Sequence, residues 1–310
     1  MKTISIITTF YNAKDFILNA INSVNQQKID TKAFNIEYII VDDKSPDESR
    51  TLIENYIKEQ ANPNINFRII EPEQNLGCGG ARKFGIDNAT GDYYMFLDAD
   101  DYYLRNDFVY RAYNDIVKEK ADIVEYGIIV NQPNGHRSVS CAPNKIICTN
   151  SEQALRLLFG DNIIKFNVWS KIYTKNIVKS YPYSTERTFE DVRTIPVWVS
   201  NAKKIVIMTT PEVNYRAASN SIIRTDMIKT RLGTITAIAE LFERFKKYPL
   251  VLKDMYKRSM VDLEIMLHNH SSNDEGFNEM SRLNTYMLSF LYPDTYKEFT
   301  FHIEDELKTN

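Results

Sequence analysis

Asp98-Ala99-Asp100-Asp101 sets three carboxylates within four positions, directly after the apolar run Tyr93 to Leu97. Crowded carboxylates repel one another unless a cation or a network of donors compensates. In an extended chain Asp98 and Asp100 project to the same side. A hard divalent ion such as Mg²⁺ or Mn²⁺ takes one or two such carboxylates and leaves positions for phosphate oxygens. The segment therefore reads as a metal–diphosphate site, or as an acidic helix start favoured by the helix dipole. A second carboxylate pair, Glu190-Asp191, suits either a helix N-terminus or a general base.

Glycine marks a third place. Ten glycines occur in 310 residues, and Gly77, Gly79, Gly80, Gly85 and Gly91 fall within fifteen of them. Backbone freedom is needed there more than elsewhere. In Asn75-Leu76-Gly77-Cys78-Gly79-Gly80-Ala81-Arg82 the backbone can approach a ligand closely. Arg82 can pair with phosphate or with a neighbouring carboxylate. The segment lacks the third glycine of a dinucleotide fingerprint and the Gly-Lys-Ser/Thr ending of a P-loop. Without a ligand it reads as a turn and a helix start.

The elements that must position these residues alternate. Ile4 to Phe10 reads as a strand, and Ile17, Ile21 and Val24 form a helical stripe. Tyr38 to Val41 is a short apolar run of the kind buried on both faces. It ends in the turn-and-cap cluster Asp42-Asp43-Lys44-Ser45-Pro46-Asp47, ahead of a helix over Leu52 to Lys58. Phe67 to Ile70 and Tyr93 to Leu97 read as strands, with a helix near Ala81 to Asn88 between them. Such alternation predicts an α/β fold with a mostly parallel sheet flanked by helices, whose ligands sit beyond the carboxyl ends of the strands. Tyr11-Asn12, Asp42-Asp43 and Asp98 to Asp101 should meet at that edge. Strand signals recur at Ile123 to Val130 and Ile205 to Met208, and beyond Arg224 the pattern is helical.

Composition removes several classes. With 38 basic and 41 acidic residues and a net charge of −3, the chain does not resemble a nucleic-acid binder. No run of eighteen apolar residues occurs, which predicts no membrane span. The opening run is too short for a signal peptide. Cys78, Cys141 and Cys148 lack metal-ligand spacing and read as free thiols in a reducing cytoplasm; His136, His268, His270 and His302 are scattered. Residues 224–258 carry nine Lys/Arg against four Asp/Glu, and residues 259–310 three against ten. The basic stretch suits either peripheral docking on the anionic inner face of a membrane or a solvated helix face.

Taken in order, these segments resemble the inverting glycosyltransferases of family 2, which have the GT-A fold. Ile4 to Asn12 matches the opening strand, Val41 to Asp47 the second strand and acidic turn, and Asn75 to Arg82 with Gly85 the asparagine–glycine–arginine helix. Phe96 to Asp101 is similar to the DxD segment and Val168-Trp169-Ser170-Lys171-Ile172-Tyr173 to a tryptophan–lysine segment. Phe189-Glu190-Asp191 resembles the catalytic ED, and Tyr215-Arg216 with Asn220-Ser221-Ile222 the loop after the last core strand. Departures are Thr9 in place of a usual proline, Phe10 in place of threonine and Lys44 where glycine is frequent.

The resemblance implies a GT-A catalytic domain over residues 1–225, with a nucleotide-sugar half (1–102) and an acceptor half (103–225). Residues 226–310 form a helical C-terminal region, a place for oligomer contacts. Thr9, Tyr11, Asp42, Asp43, Asn75, Gly77, Arg82, Asp98, Asp100, Arg216 and Ser221 would bind the donor, most often a UDP-sugar. Asp100 with Asp98 would hold Mn²⁺ or Mg²⁺, and Arg82 would brace Asp98. Asp191 would deprotonate an acceptor hydroxyl of a glycan or lipid-linked glycan, with Glu190 orienting substrate. Trp169 would stack on acceptor sugar or pack in the core. Two other readings are a catalytically silent carbohydrate- or nucleotide-binding homologue and a phosphatase-like hydrolase. The latter carries its aspartates on the first strand, unlike this chain.

Overall fold

The β-branched runs of the first hundred residues become strands because a parallel sheet buries both faces. The computed structural model describes residues 1–217, 227–267 and 275–291. The chain divides into two units, Met1–Ala154 with Ile163–Ala218, and Leu155–Asn162 with Ser219–Asn310.

In the first unit the order is β1 (Lys2–Phe10), α1 (Ile17–Asn25), β2 (Phe34–Asp42), α2 (Ser49–Gln60), β3 (Ile65–Ile70), α3 (Gly77–Asp87), β4 (Tyr93–Phe96), β5 (Tyr102–Tyr103), α4 (Phe108–Glu119) and β6 (Ile123–Asn131). There follow β7 (Arg137–Ser140), β8 (Ile146–Cys148), α5 (Ser151–Phe159, which from Leu155 on belongs to the second unit), β9 (Lys171–Thr174), α6 (Lys175–Val178), α7 (Glu190–Asn201) and β10 (Ile205–Arg216). One ten-stranded sheet runs β3-β2-β1-β4-β9-β6-β10-β5, with β7 on β6 and β8 on β10.

Strands β3, β2, β1 and β4 are mutually parallel. Beyond them the sheet is mixed rather than mostly parallel. β9 runs antiparallel to both β4 and β6, so β6, and β10 parallel to it, point the same way as β1 to β4. The consequence is one edge where β1, β2, β4, β6 and β10 all end and where β9 begins.

Two elements differ from the sequence reading in an instructive way. α3 starts at Gly77 rather than near Ala81, so four glycines, Gly77, Gly79, Gly80 and Gly85, lie inside the helix. β10 extends through Thr209, Thr210 and Pro211 to Arg216, past the expected break at Met208; a register irregularity around Pro211 absorbs the proline.

Glycine at position 85 is demanded by packing. A Cβ there would lie 2.7 Å from Ile7 Cγ2 and 3.0 Å from Val41 Cγ2. α3 thus rests directly on β1 and β2. Away from the functional edge, Glu37 is buried but fully engaged, taking Ser5 Oγ at 2.5 Å and the N–H groups of Thr90 and Gly91 at 2.6 and 3.0 Å.

The second unit is helical: α8 (Met227–Ala239), α9 (Phe242–Phe245), α10 (Pro249–Leu267) and α11 (Glu275–Leu291). Ile235, Ile238, Phe242, Val251, Met255 and Met287 are buried. Arg156 holds Asp254 at 2.9 Å, and Phe159 packs edge-on against Phe245. Among the described residues no helix is long and apolar enough to cross a membrane.

Gly85→Ala is expected to lower unfolding stability by about 1–3 kcal/mol, the range for overpacking a tight contact. Urea denaturation followed by circular dichroism measures it.

Candidate active site

The carboxyl-end edge gathers the residues singled out above. After β1, Tyr11 is 55% exposed and lies at the rim; Thr9 is half-buried. The turns after β1 and β2 are tied together: Asn12 N–H donates to Ser45 Oγ (2.8 Å), Ala13 N–H to Ser49 Oγ (3.0 Å) and Lys14 N–H to Asp47 (3.0 Å). Asp42 accepts the Ser45 N–H at 2.8 Å and faces Arg50 at 3.5 Å.

Asp43 fixes the start of α3. Its two oxygens accept the N–H groups of Leu76 (2.7 Å) and Gly77 (2.8 Å), which would otherwise be orphan donors of the helix start. Burial nevertheless raises its pKa above the ordinary carboxylate value. Asn75 acts as a strut. Its side chain donates to the Asp43 carbonyl (2.7 Å), while Arg187 grips its side-chain and main-chain oxygens at 2.9 and 3.1 Å. Gly77 has φ +74°, and a Cβ on Gly79 would collide with the Glu186 and Ser184 carbonyls at 2.3 and 2.5 Å. The glycines let the loop before α7 close down on α3.

The closure seats Arg82. This side chain is 3% exposed. One guanidinium nitrogen donates to Glu190 (2.6 Å) and to Tyr183 Oη (2.8 Å), and the other to Asp98 (2.8 Å). Cys78 Sγ also reaches Glu190, at 3.3 Å. Beneath lies a ring cluster in which Trp198 approaches Tyr173 (5.2 Å), Tyr183 (5.6 Å) and Phe96 (6.3 Å). Trp198 falls two helical turns after Asp191, and Phe96 two residues before Asp98, so the cluster sets α7 against β4. Phe189 takes a left-handed conformation (φ 58°) to turn the chain into α7. Asp191 then follows at the helix start. Burial, with Glu190 close by, pushes its carboxyl up to about 7.

Asp100 lies on the other side of Asp98. With Asn19, Tyr102, Asn131, Asn214 and Arg216 it lines a cavity of about 230 Å³. Burial and then Asp98 raise its pKa to about 6. Asp101 is fully buried; one of its oxygens accepts the Arg216 N–H at 2.8 Å, and the other has no hydrogen-bond partner among the described residues. Asp98 and Asp100 thus offer hard oxygens, one carboxylate tied to Arg82 and one facing the cavity. Such a set fits Mg²⁺ or Mn²⁺ whose remaining positions go to ligand oxygens. Among the described residues no group of three or more His, Cys, Asp or Glu side chains is placed to hold an ion alone.

Trp169 is 7% exposed and stacks flat on Tyr215, rings 5.3 Å apart and 14° from parallel. Lys171, fully buried, faces Glu125 at 3.5 Å and donates to the Asn167 carbonyl at 2.6 Å, bracing the turn that carries Trp169. Ser221 lies outside the described residues. Tyr183, Arg187, Phe16 and Glu125 belong to this edge without having been singled out by sequence. Only Glu125, one acid inside the apolar run Ile123-Val124-Glu125-Tyr126, carried a local signal.

The family model for Glycosyl transferase family 2 matches residues 5–185. The chain belongs to this family. A teichoic acid poly(glycerol phosphate) polymerase of Staphylococcus epidermidis is 27% identical over 302 residues, covering 87% of this chain; the chain spans only 40% of that protein. Among solved structures, S. aureus TarS 1–349 superposes with a TM-score of 0.69 at 18% identity, over 94% of this chain and 81% of that one, and has also been solved with UDP-GlcNAc. A Pyrobaculum calidifontis mannosyltransferase in complex with GDP-Man and Mn²⁺ gives 0.58 at 13% identity, over 94% and 87%. The fold is GT-A.

Arg82 is expected to be the costliest single side chain to remove here. Arg82→Met leaves Glu190 without its cation and should lose about 3–5 kcal/mol of unfolding free energy. Tyr183→Phe, which removes one hydrogen bond and keeps the ring, should lose about 1 kcal/mol. Thermal melts of both variants compare them directly.

Proposed function

We propose that this chain transfers a sugar with inversion from a nucleotide-sugar donor, a UDP-sugar, to a hydroxyl of a glycan or lipid-linked glycan. The observation that carries this reading is the contact chain Asp98–Arg82–Glu190, with Asp191 next in sequence. Through it the DxD turn and the ED helix start become one unit, and the carboxyl of Asp191 has a pKa of about 7. A carboxylate with such a pKa ionises near neutrality and is a competent base for an alcohol.

In this reading Asp191 takes the proton of the acceptor hydroxyl as its oxygen attacks the anomeric carbon from the face opposite the departing nucleotide. Glu190 is committed to Arg82 and acts by positioning. Arg82, engaged on both sides, pairs with Asp98 and aims it at the donor. The turns carrying Tyr11, Asp42, Asp43 and Asn75 with Gly77 form the rim where the nucleotide base would bind, and Thr9 lies at their root. Arg216 lies beside Asp100 and pairs with the diphosphate. The chemistry supplied at Asp98 and Asp100 by a bound Mg²⁺ or Mn²⁺ is neutralisation of charge on that leaving group. Residues 1–225 then form the catalytic domain and 226–310 a helical addition. The UDP-GlcNAc complex of TarS supports a uridine nucleotide, and the teichoic acid polymerase relative an acceptor of the teichoic acid kind. The Mn²⁺ complex of the mannosyltransferase supports the divalent ion.

A panel of nucleotide-sugars with Mn²⁺, scored by nucleotide release with and without acceptor, tests this. A UDP-sugar is expected to be consumed, and a chelator to stop the reaction. Asp191→Asn should slow transfer by about 10²–10⁴-fold, the usual share of a general base. Undiminished transfer by Asp191→Asn would remove the base assignment, and indifference to chelator the metal.

A further inference from the structure

Besides its ladder with β6, the described end of β10 is fixed by contacts to other parts of the site. The Arg216 N–H is bound by Asp101. Tyr215 stacks on Trp169 on one face of the sheet. Because side chains alternate along a strand, Arg216 projects to the other face, and there its guanidinium carbon lies 3.9 Å from the centre of the Phe16 ring. Phe16 immediately precedes α1 and is itself fixed: its N–H and that of Ile17 both donate to the Ala13 carbonyl at 2.9 Å, and its own carbonyl accepts the Asn19 N–H at 2.9 Å. Asn19 and Arg216 then line the cavity that Asp100 faces.

The partner chosen for the cation matters. A carboxylate would neutralise Arg216 and occupy its N–H edge. An aromatic face binds the plane of the guanidinium and leaves its charge and its in-plane donors for an anion. We propose that Phe16 is a positioning residue for donor binding. Its ring holds the exposed Arg216 side chain at the cavity beside Asp100, ready to receive the diphosphate of the nucleotide-sugar. The inference rests on the donor reading above and extends it to a residue outside the sequence motifs. Immobilising a long side chain in advance removes part of the ordering cost of binding.

Titration of UDP with Mn²⁺ into the wild type, Phe16→Tyr, Phe16→Leu, Arg216→Ala and the Phe16→Leu/Arg216→Ala double variant tests it. Melting curves first establish that each chain is folded; leucine keeps the apolar volume and removes only the ring face. Phe16→Tyr should bind UDP within about twofold of wild type, and Phe16→Leu about three- to tenfold more weakly, the range for a cation–π contact. In the Arg216→Ala background Phe16→Leu should add nothing. Uridine, which has no diphosphate, should bind wild type and Phe16→Leu alike. Phe16→Leu binding UDP as wild type does, weakening UDP equally in both backgrounds, or weakening uridine as much as UDP would overturn the proposal. No UDP binding by wild type would overturn the donor reading and this inference with it; UDP binding that Arg216→Ala leaves undiminished would overturn this inference alone.

Discussion

A buried guanidinium held between two carboxylates is the constraint on which this site depends. Arg82 comes from a helix, Asp98 from the turn after β4 and Glu190 from the start of α7, at separations of 16 and 108 residues. Each charge alone would be expensive to bury, because desolvation in the interior costs several kcal/mol per ion. Together they are satisfied, and a tyrosine hydroxyl shares the load. The arrangement can form only if α3 lies directly on β1 and β2 and the loop before α7 descends onto α3. Gly85 permits the first and Gly79 the second. Backbone permissiveness in one short segment is thus converted into the position of three functional side chains.

Electrostatics then separate the roles of neighbouring carboxylates. Glu190 has its compensating cation. Asp191, one residue on, has burial and a negative neighbour, which favour its protonated form. Asp100 and Asp101 divide similarly: the first opens to a cavity, and the second is buried and fastens the end of β10. In the proposed reading the same acidic residue type would serve as strut, base and cation ligand according to what surrounds it, as general arguments on pKa tuning anticipate.

Much of this was legible in the sequence, for reasons specific to the elements. The first four strands were visible because parallel strands buried on both faces read as continuous apolar runs. The motifs at their carboxyl ends then had to converge, and Arg82, Asp98, Asp100 and Asp191 could be named from order and residue type. β5 and β8, two and three residues long, carry no periodic signal. The second half of β10 was hidden because Thr209-Thr210-Pro211 reads as a break. α3 was placed too late because glycines argue against a helix when their tertiary reason, contact with the Ser184 and Glu186 carbonyls, is out of view. Tyr183, Arg187 and Phe16 were missed for a related reason. The partners that give them their place in the site, Arg82, Asn75 and Arg216, lie at least 100 residues away, and tyrosine, arginine and phenylalanine are unremarkable in isolation.

The most direct measurement is the titration of Asp191 itself, followed in the infrared as the protonated-carboxyl band that the wild type has and Asp191→Asn lacks. Below the midpoint the group is a neutral acid unable to accept a proton; above it the carboxylate is available as a base. A band that disappears as the pH rises through about 7 is the result this account predicts. Disappearance near 4, the value of an ordinary exposed aspartate, would contradict it.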